Sequence, residues 1–445
     1  MNQGDLRVAV INSAQDEAGR NIRNHIAELI RVRGLGGEET RRGGPSFELH
    51  EVEGRLIHAD RIDREFPSDL IIFISRHTSR EPSPVLTVHV TGNLAGAELG
   101  GKPRSLPPAF PPFMQAILRE LRCRAPPGYA VSYEVTHHGP TELATPSFFV
   151  EIGSTPSEWA DPRAGRAAAE SILAAHPGNC INLAGFGGNH YAARQTEIAC
   201  TSRGAFGHIA HSREVGALDE EMVVMMRDRS RAVAAYIDRK ALDPRDLSRI
   251  DGILGDLGLP VLTEGEILSL GDMEWSSYMA IRTLAGRAHP GARCHPHQLT
   301  TVGRPVLVEV DPALIAEAMR ADEGGFIAGL GAMPVVHLSG GGKGVLPIFI
   351  TDERKKACVI HDLINLCVKI IIERQDAAVE GDRLIIRRFR FDPGKARALG
   401  VPKGPLFGRL SAGEKIGLDG RVITPAMVQT ARVTEIHIPG LESYL

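Results

Sequence analysis

Between Tyr133 and Gly153 the sequence reads Y-E-V-T-H-H-G-P-T-E-L-A-T-P-S-F-F-V-E-I-G. Two short apolar runs flank a polar turn that carries Glu134, His137, His138 and Glu142, and Glu151 lies within the second run. Imidazole and carboxylate are the usual ligands of catalytic zinc and the usual proton carriers near neutral pH. Here they lie beside Gly139 and Pro140 rather than inside a smooth amphipathic pattern. The stretch reads as the floor of an active site.

Other strand-like runs deliver similar groups. Asp69–Ser75 is nearly continuous in apolar residues, as a strand covered on both faces must be, and it brings Ser75, Arg76, His77 and Thr78 to its C-terminal end. In open α/β sheets that edge is where ligands bind. Val85–Val90 carries His89 and is followed by Thr91-Gly92-Asn93; Cys180–Ala184 runs into G-F-G-G-N-H-Y-A with Gly187, Gly188, His190 and Tyr191; Gly204–Ile209 carries His208. The expected rim is therefore His77, His89, Glu134, His137, His138, Glu151, His190 and His208. Zinc can make water nucleophilic near pH 7, and a histidine can instead act as general base. Either route suits hydrolysis of an ester. An extended His137-His138 pair would point to opposite faces, whereas a turn could aim both at one pocket. Glu142 reads as a loop carboxylate. Ser75 and Thr78 are hydrogen-bonding groups rather than nucleophiles, because no G-x-S-x-G elbow is present.

The elements that must hold these groups read as α/β. A strand at Leu6–Ile11, a turn and a helix over Gly19–Val32 open the chain, followed by a Gly/Arg-rich connection over Gly34–Pro45. Phe47–His58 reads as a hairpin around Gly54, and Leu94–Pro112 as a long loop. Phe113–Leu121 and Glu158–Ala175 read as helices, Tyr129–Val135 and Ser147–Ile152 as strands, and Thr196–Ser202 as a short helix. Beyond residue 210, Asp219–Arg229, Ala232–Arg239, Asp246–Leu257 and Met273–Ala285 have helical spacing. Pro305–Val310 reads as a strand and Pro312–Arg320 as a helix. Ala288–His297 reads as a polar loop, since its C-H-x-H spacing is not a standard zinc pattern. G-G-G-K-G at Gly340–Gly344 reads as a flexible hairpin; no Ser or Thr follows Lys343 as a Walker A site requires. The fold class expected is α/β, with a mixed or mostly parallel sheet flanked by helices and a C-terminal α+β extension. The boundary is placed between residues 265 and 266.

With 445 residues the chain can bury more than one core. Its apolar fraction of 43% and charged fraction of 24% are ordinary for a globular protein. A formal net charge of −3 gives no global attraction to nucleic acid or anionic lipid, but permits a local basic patch. Such a patch is expected over residues 383–409, where eight Lys and Arg face one acid, Asp392. The six cysteines occur singly, as free thiols of a reducing compartment do. No run approaches the roughly 20 apolar residues of a membrane span, and no signal peptide is evident. A cytoplasmic protein is expected.

S-R-H-T-S (Ser75–Ser79), L-T-V-H-V-T-G-N (Leu86–Asn93), E-V-T-H-H-G-P-T (Glu134–Thr141), F-F-V-E-I-G-S-T (Phe148–Thr155) and G-F-G-G-N-H-Y-A-A-R-Q-T (Gly185–Thr196) together resemble the archaeal and plant type of D-aminoacyl-tRNA deacylase. G-H-I (Gly207–Ile209), Y-I-D-R-K (Tyr236–Lys240) and L-G-V-P-K-G-P-L-F-G-R-L (Leu399–Leu410) fit the same family. The resemblance covers residues 5 to 265 well and 390 to 430 more loosely. It implies a core similar to peptidyl-tRNA hydrolase and purine nucleoside phosphorylase domains. It implies hydrolysis of the ester between a D-amino acid, over a broad range of side chains, and the terminal ribose of tRNA, as translation quality control. It also implies a monomer with two zinc ions. Carried onto this sequence, His77, His89, Glu134, His138, His190 and His208 are the catalytic candidates. His137, His138, Glu151, His190 and His208 are the metal candidates, and Ser75, Arg76, Thr78, Asn93, Gly187, Gly188, Tyr191 and Arg194 the substrate-binding ones. Two departures, Asn189 where glycine is expected and Ala193 where proline is expected, remove no candidate ligand. The rival readings are another α/β metallohydrolase or nucleosidase with a small substrate, and a tRNA-binding protein without catalysis.

Overall fold

The computed structural model describes residues 6–33, 44–340 and 344–444. It divides into two compact units after Gly271. In the first unit the strands are β1 (Arg7–Ser13), β2 (Ser46–Val52), β3 (Leu70–Thr78), β4 (Val85–His89), β5 (Ala130–Tyr133), β6 (Ser147–Ser154), β7 (Ile181–Phe186), β8 (Gly204–Ala210), β9 (Ala234–Ile237) and β10 (Val261–Leu262). They form two sheets. The first is mixed, in the order β2-β1-β3-β6-β4-β5, with β4 antiparallel to β6 and the other pairs parallel. The second, β10-β9-β7-β8, is parallel throughout. The architecture is the mixed α/β type that the sequence indicates.

Register explains how the first sheet serves a site. Ser75 of β3 stands opposite Glu151 of β6, and Glu151 stands opposite Thr87 of β4. Neighbours in register share a face, and so do residues two apart on a strand. Ser75, His77, His89 and Glu151 therefore project from one face of three adjacent strands. Further along that face Ala9, Ile11, Ile71, Phe73 and Phe149 pack with Leu56 and Leu143.

Several local expectations are corrected. Phe47–His58 is not a hairpin: it forms the single strand β2, parallel to β1, followed by a 3-10 turn at Leu56–His58. The intervening helix Glu17–Arg33 supplies the crossover that parallel pairing needs. Ala232–Arg239 is not helical but contains β9, four fully buried residues between β7 and β10. A short apolar run buried on both faces cannot be told from a buried helix by period alone. The second half of Ala288–His297 is a strand, Arg293–Pro296, paired with Val336–Ser339. The short helix foreseen at Thr196–Ser202 runs from Ala193 to Thr201. The expected connection over Gly34–Pro45 falls, for residues 34–43, outside the described residues. The same holds for residues 341–343 of the expected glycine hairpin, whose flanking strands Val336–Ser339 and Val345–Asp352 pair antiparallel.

The second unit is α+β. A four-stranded antiparallel sheet and the three-stranded sheet Asp376–Glu380, Arg383–Phe391, Gln429–His437 share a core with the helices Pro312–Gly331 and Lys356–Arg374. Half of the expected basic tract is paired with acids that lie outside it. Arg388 donates to the buried Glu317, Arg383 lies near Glu435, Arg387 near Glu380, and Arg409 binds Glu414. Among the described residues no helix is long and apolar enough to cross a membrane.

One packing contact ties the first unit's helices to the site. Gly165, in the helix Pro162–Ala174, lies so close to the helix Glu17–Arg33 that a Cβ there would sit 2.1 Å from Asn21 Oδ1. The Asn21 amide donates to the carbonyls of Trp159 and Asp161, both at 2.9 Å, and the Trp159 indole N–H donates to the His77 carbonyl at 3.1 Å. Gly165→Val should lower stability by about 1–3 kcal/mol through overpacking. It should also perturb the environment of Trp159; thermal unfolding followed by tryptophan fluorescence checks both effects.

Candidate active site

The turn after β5 folds so that both of its histidines face one way. His138 has φ +46°, and this left-handed residue reverses the alternation that an extended pair would obey. His137 and His138 consequently line the same pocket as His77, Glu151 and His190. The pocket is an open cavity of about 340 Å³. Its remaining walls include Ser13, Gln15, Asp16, Arg55, Leu56, Ile57, Ser75, Arg76, Thr78, Leu99 and Phe149.

Two buried carboxylates organise the polar end. Glu134 has His77 Nδ1 3.1 Å from Oε1, and His190 Nε2 at 3.1 Å and His137 Nε2 at 3.5 Å from Oε2. Neither oxygen makes a well-aligned hydrogen bond. Glu151 accepts from Ser75 Oγ at 2.6 Å through Oε1, and its Oε2 stands 3.6 Å from both His77 Nδ1 and His89 Nε2. Burial pushes His77 toward neutrality, but the adjacent carboxylates of Glu134 and Glu151 outweigh it and raise its pKa to about 11. For His89 burial is likewise outweighed by Glu151 and Glu134. Burial would raise both acids, yet their histidine neighbours hold both ionised, below the ordinary carboxylate range. The Gly153 position makes room for this: a Cβ there would lie 2.7 Å from His77 Cδ2.

His89, His137 and His138 share one orientation, with Nδ1 held by the backbone and Nε2 free to meet a cation, which at His89 would take the place of a proton. A backbone carbonyl can only accept, so each Nδ1 that meets one must carry the proton. This fixes His89 Nδ1–H on Val90 O (3.3 Å), His137 Nδ1–H on Val135 O (2.8 Å) and His138 Nδ1–H on Gly139 O (2.7 Å). Burial, then the nearby histidines, keep His137 well below its usual pKa, and burial and His89 lower His138 to about 4. The ligand atoms of these three lie within 4.8 Å of one another. Tethering Nδ1 to a carbonyl while presenting Nε2 is how metal-ligating histidines are normally oriented. His77, Glu134 and His190 form a second such trio, and His89, Glu134 and Glu151 a third. The orphaned Nε2 of His89 and the two unaligned oxygens of Glu134 fit a divalent cation: they are buried, basic and otherwise without a hydrogen-bond partner.

Of the other expected site residues, Tyr191 bonds His77 Nε2 through its hydroxyl at 3.2 Å, and Arg76 stacks over Trp159 and lies 4.0 Å from Asp16. Five stand apart. His208 is fully buried; its Nε2–H donates to Pro107 O (2.9 Å), its Nδ1 meets Thr136 Oγ1 (3.2 Å), and burial lowers it to about 4. Both ring nitrogens are thus committed, and it belongs to none of the trios. Asn93 binds the carbonyls of Gly100 and Lys102, Arg194 pairs with Glu264, and Gly187 and Gly188 take left-handed backbone beside Gln195 and Ser212. Glu142 pairs with Lys102 and Arg61 on the surface. Ser13 and Asp16 escaped the sequence reading although Ser13 ends β1 and Asp16 lies just beyond it, where the sheet-edge rule points. Arg55, Leu56 and Leu99 arrive from irregular segments with no pattern to flag them.

A model of the D-aminoacyl-tRNA deacylase family matches residues 64–262. Proteins called D-aminoacyl-tRNA deacylase from Methanoculleus marisnigri and Methanoregula boonei are each 52% identical over 440 residues, 99% of this chain and the whole of theirs. One from Methanosarcina mazei is 40% identical over 282 residues, 60% of this chain but 95% of its own length. The chain is also similar to a crystal structure of a conserved protein of unknown function. That likeness has a TM-score of 0.54 and 32% identity, over 60% of this chain and 98% of the other.

The tethered histidines and His208 should separate in a metal assay. His138→Ala should reduce divalent metal retained after dialysis, measured by atomic emission, whereas His208→Gln should leave it unchanged. The latter should instead lower stability by about 1–3 kcal/mol through a lost buried hydrogen bond.

Proposed function

The chain belongs to the D-aminoacyl-tRNA deacylase family and hydrolyses the ester of D-aminoacyl-tRNA to free tRNA and D-amino acid, and we propose that its first unit does so with two zinc ions and with Glu151 as proton acceptor. The observation that carries the reading is the set of inward Nε2 atoms on His89, His137 and His138, each fixed by an Nδ1–H on a carbonyl. Those three would hold one ion and His77, Glu134 and His190 the other. When bound, such ions supply Lewis acidity to the acyl carbonyl and lower the pKa of water.

The chain's own groups do the rest. Glu151 lines the pocket as a carboxylate, and the Ser75 hydroxyl on Oε1 leaves Oε2 to take the proton of the attacking water. As the acyl C–O bond breaks, that proton passes to the departing ribose oxygen, so the carboxylate is regenerated. Tyr191 holds the His77 ring from its outer side. Leu56, Ile57, Leu99 and Phe149 form an apolar wall beside the acyl position. Chirality would be read by whether the side chain can lie against that wall while the carbonyl stays in place. The match of the family model to residues 64–262 supports assigning catalysis to the first unit. A cytoplasmic monomer is the accompanying reading.

The test is deacylation of matched D- and L-aminoacyl-tRNA before and after chelation. D-specific turnover should vanish with chelator and return with zinc at a stoichiometry near two. Glu151→Gln should lower kcat by about 10²–10⁴ while zinc content stays. Undiminished turnover in metal-free protein, or a fully active Glu151→Gln, overturns the assignment.

A further inference from the structure

The charge of this chain is unevenly placed. Residues 388–432 hold nine Lys and Arg against three Asp and Glu, a net of +6 in a chain whose total is −3. They form a distinct piece of the second unit. The strand Asp376–Glu380 pairs with Arg383–Phe391 only as far as Arg387. From Arg388 to Phe391 the central strand is paired solely with Gln429–Arg432, as a two-stranded ribbon. Between its strands the chain builds a small cluster of its own: Ala396, Val401, Leu410, Ile416, Ile423 and Val428.

Two features of this piece lack internal explanation. Arg390, Lys403, Lys415, Arg421 and Arg432 are exposed and have no acidic partner among the described residues, in contrast to Arg383, Arg387, Arg388 and Arg409. Large apolar side chains are exposed in the same place: Phe389 at 55%, Val422 at 62%, Met427 at 48% and Val433 at 50%. On the ribbon, alternation puts Phe389, Ala431 and Val433 on one face and Arg388, Arg390 and Arg432 on the other. An isolated surface phenylalanine needs no explanation, but a ribbon only two strands wide leaves both faces open to one ligand, and unpaired arginines on one face with an aromatic ring on the other match what single-stranded or unstacked RNA requires. Cations take the phosphates and an aromatic face takes a base.

We propose that the ribbon and cluster of residues 388–433 bind the body of the tRNA, with Arg390, Lys403 and Arg432 on the phosphate backbone and Phe389 against an unstacked base. The occupant is argued from charge: the chain as a whole repels a polyanion weakly, so attraction must come from a local surface, and this one is both positive and unpaired. The inference rests on the family's tRNA substrate but not on the catalytic assignments in the first unit.

The test uses the full chain. Binding of deacylated tRNA is measured by filter retention across a potassium chloride series for wild type, the triple variant Arg390→Ala/Lys403→Ala/Arg432→Ala, and Phe389→Ala. Hydrolysis of D-tyrosyl-adenosine, an ester without a tRNA body, is measured alongside. The triple variant should lose at least tenfold in affinity, with a salt slope shallower by about 2 to 3. Phe389→Ala should lose about fivefold or more, and both should hydrolyse D-tyrosyl-adenosine as wild type does. Unchanged tRNA affinity and slope overturn the proposal. So does a Phe389→Ala variant that loses only self-association in sedimentation, which would assign the face to a second copy. If wild type binds tRNA but hydrolyses neither D-tyrosyl-adenosine nor D-aminoacyl-tRNA, the catalytic reading fails while the binding data still judge this surface.

Discussion

Two ionised carboxylates buried within one small pocket are costly unless positive charge lies among them. Glu134 and Glu151 impose that condition here. Each shares His77, which has one carboxylate at 3.1 Å and the other at 3.6 Å from the same nitrogen. Protons on His77 and His89 meet the demand, and so do divalent ions that take their place. The neutral His137 and His138 add lone pairs but no charge. A site with this imbalance favours cations, and its His and Glu clusters have the spacing of candidate metal ligands.

The sheet supplies the rigidity that this arrangement needs. Three neighbouring strands in fixed register present Ser75, His77, His89 and Glu151 on one face. Gly153 keeps the space beside His77 open, and Trp159, held by Asn21, anchors the His77 backbone. Glu134, His137 and His138 come instead from a turn, whose backbone is held by the His138 carbonyl on Gly92 N and by Thr136 N on the Ile209 carbonyl. Strand-borne and turn-borne groups thus meet across a short distance. An ester pocket built this way orients its groups before substrate arrives, so little reorganisation remains for the reaction.

The second unit follows a different logic. Its core is assembled from two antiparallel sheets and long helices, and much of its arginine content is spent on internal pairs such as Arg388 with Glu317. Relatives differ in how much of such a chain they possess: the Methanosarcina mazei protein corresponds to 60% of this one while nearly all of its own length is matched.

The sequence by itself determined the α/β class, the strands β1, β3, β4 and β6, and the chemistry of the acids and histidines. These are local properties: a doubly covered strand is a continuous apolar run, and a polar residue at its end or interrupting its pattern stands out. It also pointed to the family, through motifs each contained within a dozen residues. What it left open depended on contacts between distant segments. Ala232–Arg239 became a strand because β7 and β10 cover it, and Phe47–His58 became one strand because β1 offers a parallel partner. His208 resembled its neighbours in type and setting, yet Pro107 and Thr136 consume both its nitrogens, while His137 and His138 face one cavity because a single backbone angle is positive. The tract at 383–409 looked uniformly basic until the distant Glu317 and Glu435 were brought beside part of it. Residue type sets what a side chain can do, but only packing decides which of its hydrogen-bonding and charge capacities remain unspent.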